Sequence, residues 1–274
     1  MSNTQLRIIS AIVMVAILLL GVWLGQKAAL IIVFIVGVMV NEEIMVSFLK
    51  RKRTSILYIL SQLIFTAAFW KFNTDPNYYQ YIFWFAIASL FINLFLFGYL
   101  FKIKMDNLVI VKFFEKYPFI PVLMVSIPLF TLSRLILAPN WVDLLWSLIF
   151  INFSVDTFAW LFGKFFGKNK LWPEVSPKKT IEGAIGGVIG CLVLGGWYLN
   201  EVFHQINFTM IIFLFFLAVC AQLGDLVQSK LKRQFNIKDS SNFIPGHGGF
   251  YDRIDSLLFV CPLFLLLLIT TNQI

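Results

Sequence analysis

The chain alternates long apolar runs with short polar connections, and nine of the runs approach the roughly 20 residues that a membrane-spanning helix needs. They are read at 6–25, 28–49, 54–71, 79–101, 118–138, 141–163, 181–200, 207–228 and 251–271. The longest connections, 102–117, 164–180 and 229–250, leave no room for a soluble domain. The expected fold class is therefore an all-α integral membrane protein, a polytopic bundle of about nine transmembrane helices. Composition agrees: soluble domains carry about 25% charged residues, and this 274-residue chain carries 13% with a mean hydropathy of +0.85.

The connections also orient the bundle. With nine spans, 19 of the 22 Lys and Arg residues fall on one side, in 50–53, 102–116, 164–179 and 230–253 together with Arg7. Lys27, Lys71 and Arg134 remain on the other. By the positive-inside rule the N-terminus is expected in the cytoplasm and the C-terminus outside. The net charge of +8 then points to lipid headgroups or phosphorylated substrates and not to nucleic acid. Residues 1–25 resemble a signal peptide in their basic start, but the run is long and a second span follows at once, so an uncleaved first helix is expected. Cys191, Cys220 and Cys261 sit in three different spans and read as small buried apolar residues.

The chain divides by character. Residues 1–140 hold few internal charges and read as scaffold helices, lipid contact or a homodimer surface; residues 141–274 hold most of the unusual polar groups and read as the catalytic region. No internal repeat of the kind many transporters carry is evident. A carboxylate inside a span is costly and marks a candidate site. Glu42 and Glu43 end the second span, where pairing with Lys50 or Arg51 and a site role both remain open. Asp156 is deeper, with Asn152 and Trp160 on its helical face. Asp225 has Gln222 at i−3 and Ser229 at i+4 on one face, and Asp252 and Asp255 open the ninth span at i and i+3.

The densest polar stretch runs from Ser229 to Asp255, 27 positions carrying Lys230, Lys232, Arg233, Lys238 and Arg253, with Asp239, Asp252, Asp255 and His247. Asp225 and the pair Asp252/Asp255 flank this loop, so the three carboxylates are expected to meet, which repulsion forbids without a cation. Mg²⁺ suits such a place, since it takes one or two carboxylates and completes its shell with phosphate and water. The start of the ninth helix offers backbone N–H groups to an anion, and Gly248 and Gly249 leave room for backbone to approach phosphate. For His247 three roles stay open: general base, phosphate donor, or turn residue bonding its own loop. A second polar island, Gly163 to Gly183, carries Lys164, Lys168, Lys170, Ser176, Lys178, Lys179 and Glu182. Gly183, Gly186, Gly187 and Gly190 beyond it read as a close helix–helix contact face.

These residues resemble a known family. Ser229, Leu231, Lys232-Arg233, Lys238-Asp239, Ser241, Ile244-Pro245, His247-Gly248-Gly249-Phe250 and Asp252-Arg253-Ile254-Asp255 match the signature of the phosphatidate cytidylyltransferases, the CDP-diacylglycerol synthases, at every position. Gly224-Asp225 belongs to the same resemblance, as do the span holding Asp156, Ala159 and Trp160 and the loop from Ser176 to Gly183. It covers roughly 141–274.

The resemblance implies a CTP-dependent, Mg²⁺-requiring transfer in which phosphatidate and CTP give CDP-diacylglycerol and pyrophosphate. It implies Asp225 and Asp252 as direct metal ligands, with Asp255 and Asp156 assisting or holding a second cation. Ser176, Lys178, Lys179, Ser229, Lys232, Arg233, Lys238, Gly248, Gly249 and Arg253 would serve the triphosphate and the lipid phosphate. His247 is then favoured as loop organiser or phosphate donor over proton acceptor. The expected location is a bacterial inner membrane with the site on the cytoplasmic side, among membrane lipids and in a chain able to act as monomer or homodimer. Two other readings differ in chemistry: a CTP-dependent lipid kinase would move the γ-phosphate and leave CDP, and a transporter or lipid-binding scaffold would keep its ionisable groups near the bilayer midplane.

Overall fold

The computed structural model describes residues 3–75, 82–204, 207–271 and 273. Helix α1 (Asn3–Leu24) leads into α2 (Gln26–Glu42), which continues as a π-helical segment, Glu43–Phe48. Then come α3 (Ile56–Thr74), α4 (Ile82–Lys102), the short α5 (Val109–Lys116), α6 (Phe119–Ile136) and α7 (Trp141–Phe166). A hairpin of β1 (Lys170–Trp172) and β2 (Ser176–Thr180) pairs Lys170 with Thr180 and Trp172 with Ser176, antiparallel. Helix α8 (Ile181–Gly190) passes through a second π-helical segment, Cys191–Gly195, into α9 (Gly196–Phe203), and α10 (Phe208–Gln234) and α11 (Tyr251–Thr270) complete the chain.

Among the described residues nine helices are long and apolar enough to cross a membrane, as the sequence predicts, with α8 and α9 forming one span. The first residues expected in the fourth span, 79–81, lie outside the described residues. Helix α11 is the hub, packed on α10, α4, α6 and α7, and its Val260, Cys261, Phe264, Leu267 and Leu268 are fully buried. Helix α1 is the opposite case: it packs mainly on α2 and leaves Ile12, Val15, Leu20 and Trp23 exposed, the side chains that acyl chains would cover.

Two elements depart from the sequence reading in ways that matter for the site. The hydropathic run of the eighth span ends near 228, yet α10 continues to Gln234, so Ser229, Lys230, Lys232 and Arg233 stand on a helix and the connection shrinks to 235–250. The continuation is held by burial of polar side chains. Lys230 is fully buried, and its ammonium donates to the carbonyls of Tyr99 (3.1 Å), Leu100 (2.8 Å) and Ile103 at the end of α4. Gln234 donates to the carbonyls of Met105 and Asn107, both at 3.0 Å, and accepts from the Tyr99 hydroxyl. These bonds satisfy carbonyls that a helix end leaves open.

The connection 164–180 is not a plain loop either. Glu182, in the first turn of α8, accepts from the backbone N–H groups of Lys168 and Asn169, and Thr180 caps α8 by accepting from Gly183 N at 3.1 Å. The glycine face of α8 is a contact face with α7, as expected. A side chain on Gly183 would meet Ala159 O at 2.7 Å, and one on Gly187 would meet Val155 O at 3.0 Å.

Candidate active site

The connection 235–250 folds round two buried carboxylates. Asp252, in the first turn of α11, accepts through Oδ2 from Ser240 N (2.8 Å), Ser240 Oγ (3.0 Å) and Gly249 N (2.9 Å). Its Oδ1 accepts from Gln228 Nε2 (3.0 Å) and Lys232 Nζ (2.8 Å). The second carboxylate is Glu43, 1% exposed where α2 turns π-helical. It accepts from Ser241 Oγ (2.6 Å), Phe250 N (2.8 Å) and Tyr251 N (2.8 Å), and the single hydroxyl proton of Ser240, whose Oγ is 2.9 Å away, is shared between Glu43 and Asp252. Glu43 therefore caps α11 from another helix, using the orphan N–H groups of a helix start.

Part of the backbone expected to meet an anion is occupied by the protein's own carboxylates. The first N–H groups of α11 are already committed to Glu43, and Gly249 N–H to Asp252. The glycines serve the same packing: a Cβ on Gly248, at φ 84°, would meet Asp252 Oδ2 at 2.6 Å, and one on Gly249 would collide with Ser240 and Glu43. Gly248 and Gly249 thus admit the protein's own carboxylates. Ahead of them Ile244-Pro245-Gly246-His247 forms a turn with Pro at i+1 and Gly246 at φ 76°, the type II pattern, closed by His247 N to Ile244 O at 2.9 Å.

The reactive-looking carboxylates lie elsewhere. Asp225 pairs with Lys179 of β2 at 2.5 Å and accepts from Ser229 Oγ at 3.3 Å. Asp156 and Asp255 each sit within electrostatic range of Asp225. The expected meeting of Asp225, Asp252 and Asp255 is accordingly replaced: Asp252 turns into the loop, and Asp225, Asp255 and Asp156 form the remaining acidic group. The donor set fits Mg²⁺, a hard ion that keeps several waters and binds through one or two carboxylates. Among the described residues no three of His, Cys, Asp and Glu close on one point as a preformed cage, which Mg²⁺ does not require.

A cavity of about 360 Å³ opens beside this group, lined by Asp156, Trp160, Lys164, Lys178, Lys179 and Gln222 among others. It shares Leu171, Ala184 and Gln222 with an apolar cavity of about 570 Å³ between α4, α8, α10 and the hairpin. Gln222 stands at the join and donates to Ala184 O at 3.1 Å.

The other predicted residues scatter round this centre. Lys178, Arg233, Lys238 and Arg253 are exposed, Ser176 starts β2, and Lys232 spans to Asp252. Asn152 bonds its own helix at Leu148 O and stays out of the site. Glu42 pairs with Arg53 at 2.5 Å and not with Lys50 or Arg51. His247 meets α1: its Nδ1 is 2.7 Å from Ser10 Oγ. Burial, helped by the guanidiniums of Arg253 and Arg7, holds the imidazole below its ordinary protonation range. The sequence reading passed over Gln228, Ser240 and Ser10. For Glu43 the available signal was an acid at the end of an apolar run.

The structure is thus a helical bundle of membrane-spanning type that gathers cations and carboxylates beside an apolar cavity. The chain belongs to the Cytidylyltransferase family, whose sequence model matches residues 5–271. It is similar to the phosphatidate cytidylyltransferase of Bacillus subtilis (strain 168), 48% identical over 121 residues, which is 43% of this chain and 44% of that protein. A second relative, the phosphatidate cytidylyltransferase of Staphylococcus haemolyticus (strain JCSC1435), is 49% identical over 115 residues, 42% of this chain and 44% of its own. The chain thus spans somewhat under half the length of the relatives it matches.

Proposed function

We propose that this protein transfers the cytidylyl group of CTP to phosphatidate, giving CDP-diacylglycerol and pyrophosphate. The observation that carries the reading is the junction of the two cavities. One is lined by Lys164, Lys178, Lys179 and Asp156 and suits phosphate oxygens; the other is apolar and suits an acyl chain. A lipid with a phosphate head fits such a pair, and a soluble phosphoester leaves the apolar half unfilled.

The bond change is an in-line exchange at phosphorus. An oxygen of the phosphatidate phosphate forms a bond to the α-phosphorus of CTP while the bond from that phosphorus to the bridging oxygen breaks, and pyrophosphate leaves with the electron pair. Both reactants are polyanions, so the residues' main tasks are alignment and charge compensation. Lys178, Lys179, Arg233, Lys238 and Arg253 share the phosphates, while Lys232 keeps Asp252 in place. Lys179 already bridges to Asp225, so an arriving phosphate competes for its ammonium. Asp225, Asp255 and Asp156 would hold Mg²⁺, which offsets charge on phosphate oxygens when bound. Asp252, held by Ser240, Gly249, Gln228 and Lys232, ties the loop 235–250 to α10. The location that follows is a bacterial inner membrane with the site on the cytoplasmic side, where the basic connections belong.

Purified protein in detergent–lipid micelles, given phosphatidate, α-labelled CTP and Mg²⁺, tests this. Label in a lipid product, matched by pyrophosphate and abolished by chelation, is the expected result. Free CDP with doubly phosphorylated lipid would make the protein a kinase, and no turnover in folded protein would leave a binding or transport role.

A further inference from the structure

Ser10 belongs to the half of the chain that carries none of the signature, yet its side chain touches the signature turn twice. Its Oγ lies 2.9 Å from Pro245 O and 2.7 Å from His247 Nδ1, and also 2.9 Å from Leu6 O and 3.2 Å from Arg7 O of its own helix. Beside it Arg7 Nε donates to Gly246 O at 3.0 Å. Ser10 is 8% exposed, so water does not settle these contacts.

A hydroxyl has one proton and two lone pairs. Leu6 O and Arg7 O are carbonyls of α1, where the helix's own N–H groups serve as donors. Leu6 O and Pro245 O both lie 2.9 Å from the hydroxyl, and two oxygens that close repel unless a proton lies between them. The Ser10 proton therefore goes to the carbonyls and not to the ring. The short contact to His247 Nδ1 then needs a proton from the ring, so Nδ1 carries it. A neutral imidazole has only one N–H, which leaves Nε2 bare.

We propose that Ser10 of the first helix is a positioning residue of the site, fixing His247 as the Nδ1–H tautomer so that its free nitrogen is an acceptor and not a phosphate donor. Burial and the nearby guanidiniums of Arg7 and Arg253 disfavour the imidazolium, in which both nitrogens would donate. The partner that fits a bare Nε2 is a proton-bearing oxygen. A phosphomonoester, whose second ionisation lies near pH 6, offers one in its singly ionised form. The identity of that partner rests on the cytidylyl-transfer reading; the tautomer does not.

Nitrogen NMR of the full-length protein decides the tautomer directly. The chain has only two histidines, and His204 sits in a left-handed helix cap at φ 55° that Asn tolerates. In a His204→Asn background, ¹⁵N-histidine-labelled protein at about pH 8, above the ordinary histidine range, should show one ring with Nδ1 protonated and Nε2 bare. A protonated Nε2 would overturn the proposal. Ser10→Ala should release the ring to a mixture of tautomers and slow turnover through kcat roughly fivefold, the worth of one hydrogen bond between neutral groups. Ser10→Thr, which keeps the hydroxyl, should restore both. An unchanged tautomer in Ser10→Ala would equally overturn it. If Ser10→Ala does not fold, the His204→Asn spectrum alone decides. Absence of cytidylyl transfer in protein with the expected spectrum would sink the catalytic reading and leave the tautomer standing.

Discussion

A single carboxylate from the second span, Glu43, holds the start of the ninth. Replacing it by Gln keeps the shape and removes the charge. Of the four donors Glu43 accepts, the two serine hydroxyls can rotate, and Ser240 retains Asp252. The backbone N–H groups of Phe250 and Tyr251 cannot rotate, and they meet opposite oxygens of the carboxylate. An amide presents one oxygen and one NH₂, so whichever way it lies one of these N–H groups faces a donor. A buried donor left unsatisfied costs about 1–3 kcal/mol. That corresponds to a roughly fivefold to 150-fold rise in local opening, since about 1.4 kcal/mol is tenfold. The chain should remain folded, because the loss falls on one loop and one helix start. Hydrogen exchange followed by mass spectrometry should show faster exchange across 236–251, with α6 and α7 unchanged, and cytidylyl transfer should fall by a similar factor. Wild-type exchange across 236–251 in Glu43→Gln would refute the capping role, whatever the activity.

Asp225→Asn should reduce turnover by about two decades or more, as expected when charge stabilisation at a phosphoryl site is lost, and Asp252→Asn should reduce it by loosening the loop that Asp252 holds. Only Asp252→Asn should also speed exchange at Ser240 and Gly249; equal exchange in the two variants would refute the division between a substrate-facing and a loop-building carboxylate. Lys230→Met strips a buried ammonium from three carbonyls, at a cost of about 3 kcal/mol, and should lower the apparent melting temperature in detergent by roughly 6–12 °C; an unchanged midpoint would rule out its role in closing α4. His247 is held below its ordinary value of 6.5, so the unfolded chain takes up a proton first as the pH falls. The stabilisation from the neutral ring is complete above about 6.5 and is lost as pH falls through the lower folded value, so melting temperatures should decline on acidification more in the wild type than in His247→Gln. Equal declines would contradict the shift.

The spans were legible because a membrane helix announces itself by length and apolarity, and the glycine face of α8 because four small residues on one side of a helix have few other uses. The ends of helices were not. The polar run beginning at Ser229 looks like loop, and α10 nevertheless continues because Lys230 and Gln234 find carbonyls of α4 and its following turn more than 120 residues away. Hydropathy sees the cost of burying an ammonium and not the carbonyls waiting for it. Glu43 was visible as an acid in an apolar run, but its partners at Phe250 and Tyr251 are 207 and 208 positions on. No spacing rule reaches that far.

The same limit explains why the densest signature misled in detail. The residues in and around it answer to two different demands. Ser240, Gly248, Gly249 and Asp252 fit round one another and Glu43, and a change in any of them is felt first by the loop. Asp225, Asp255 and Lys179 have fewer protein partners, and the charges they leave incompletely answered are those a metal ion and phosphates can complete. A crowded motif therefore marks where the chain is most constrained. Substrate chemistry is better sought where a charged group remains short of partners, and by that criterion the Asp225–Lys179 pair stands ahead of Gly248 and Gly249.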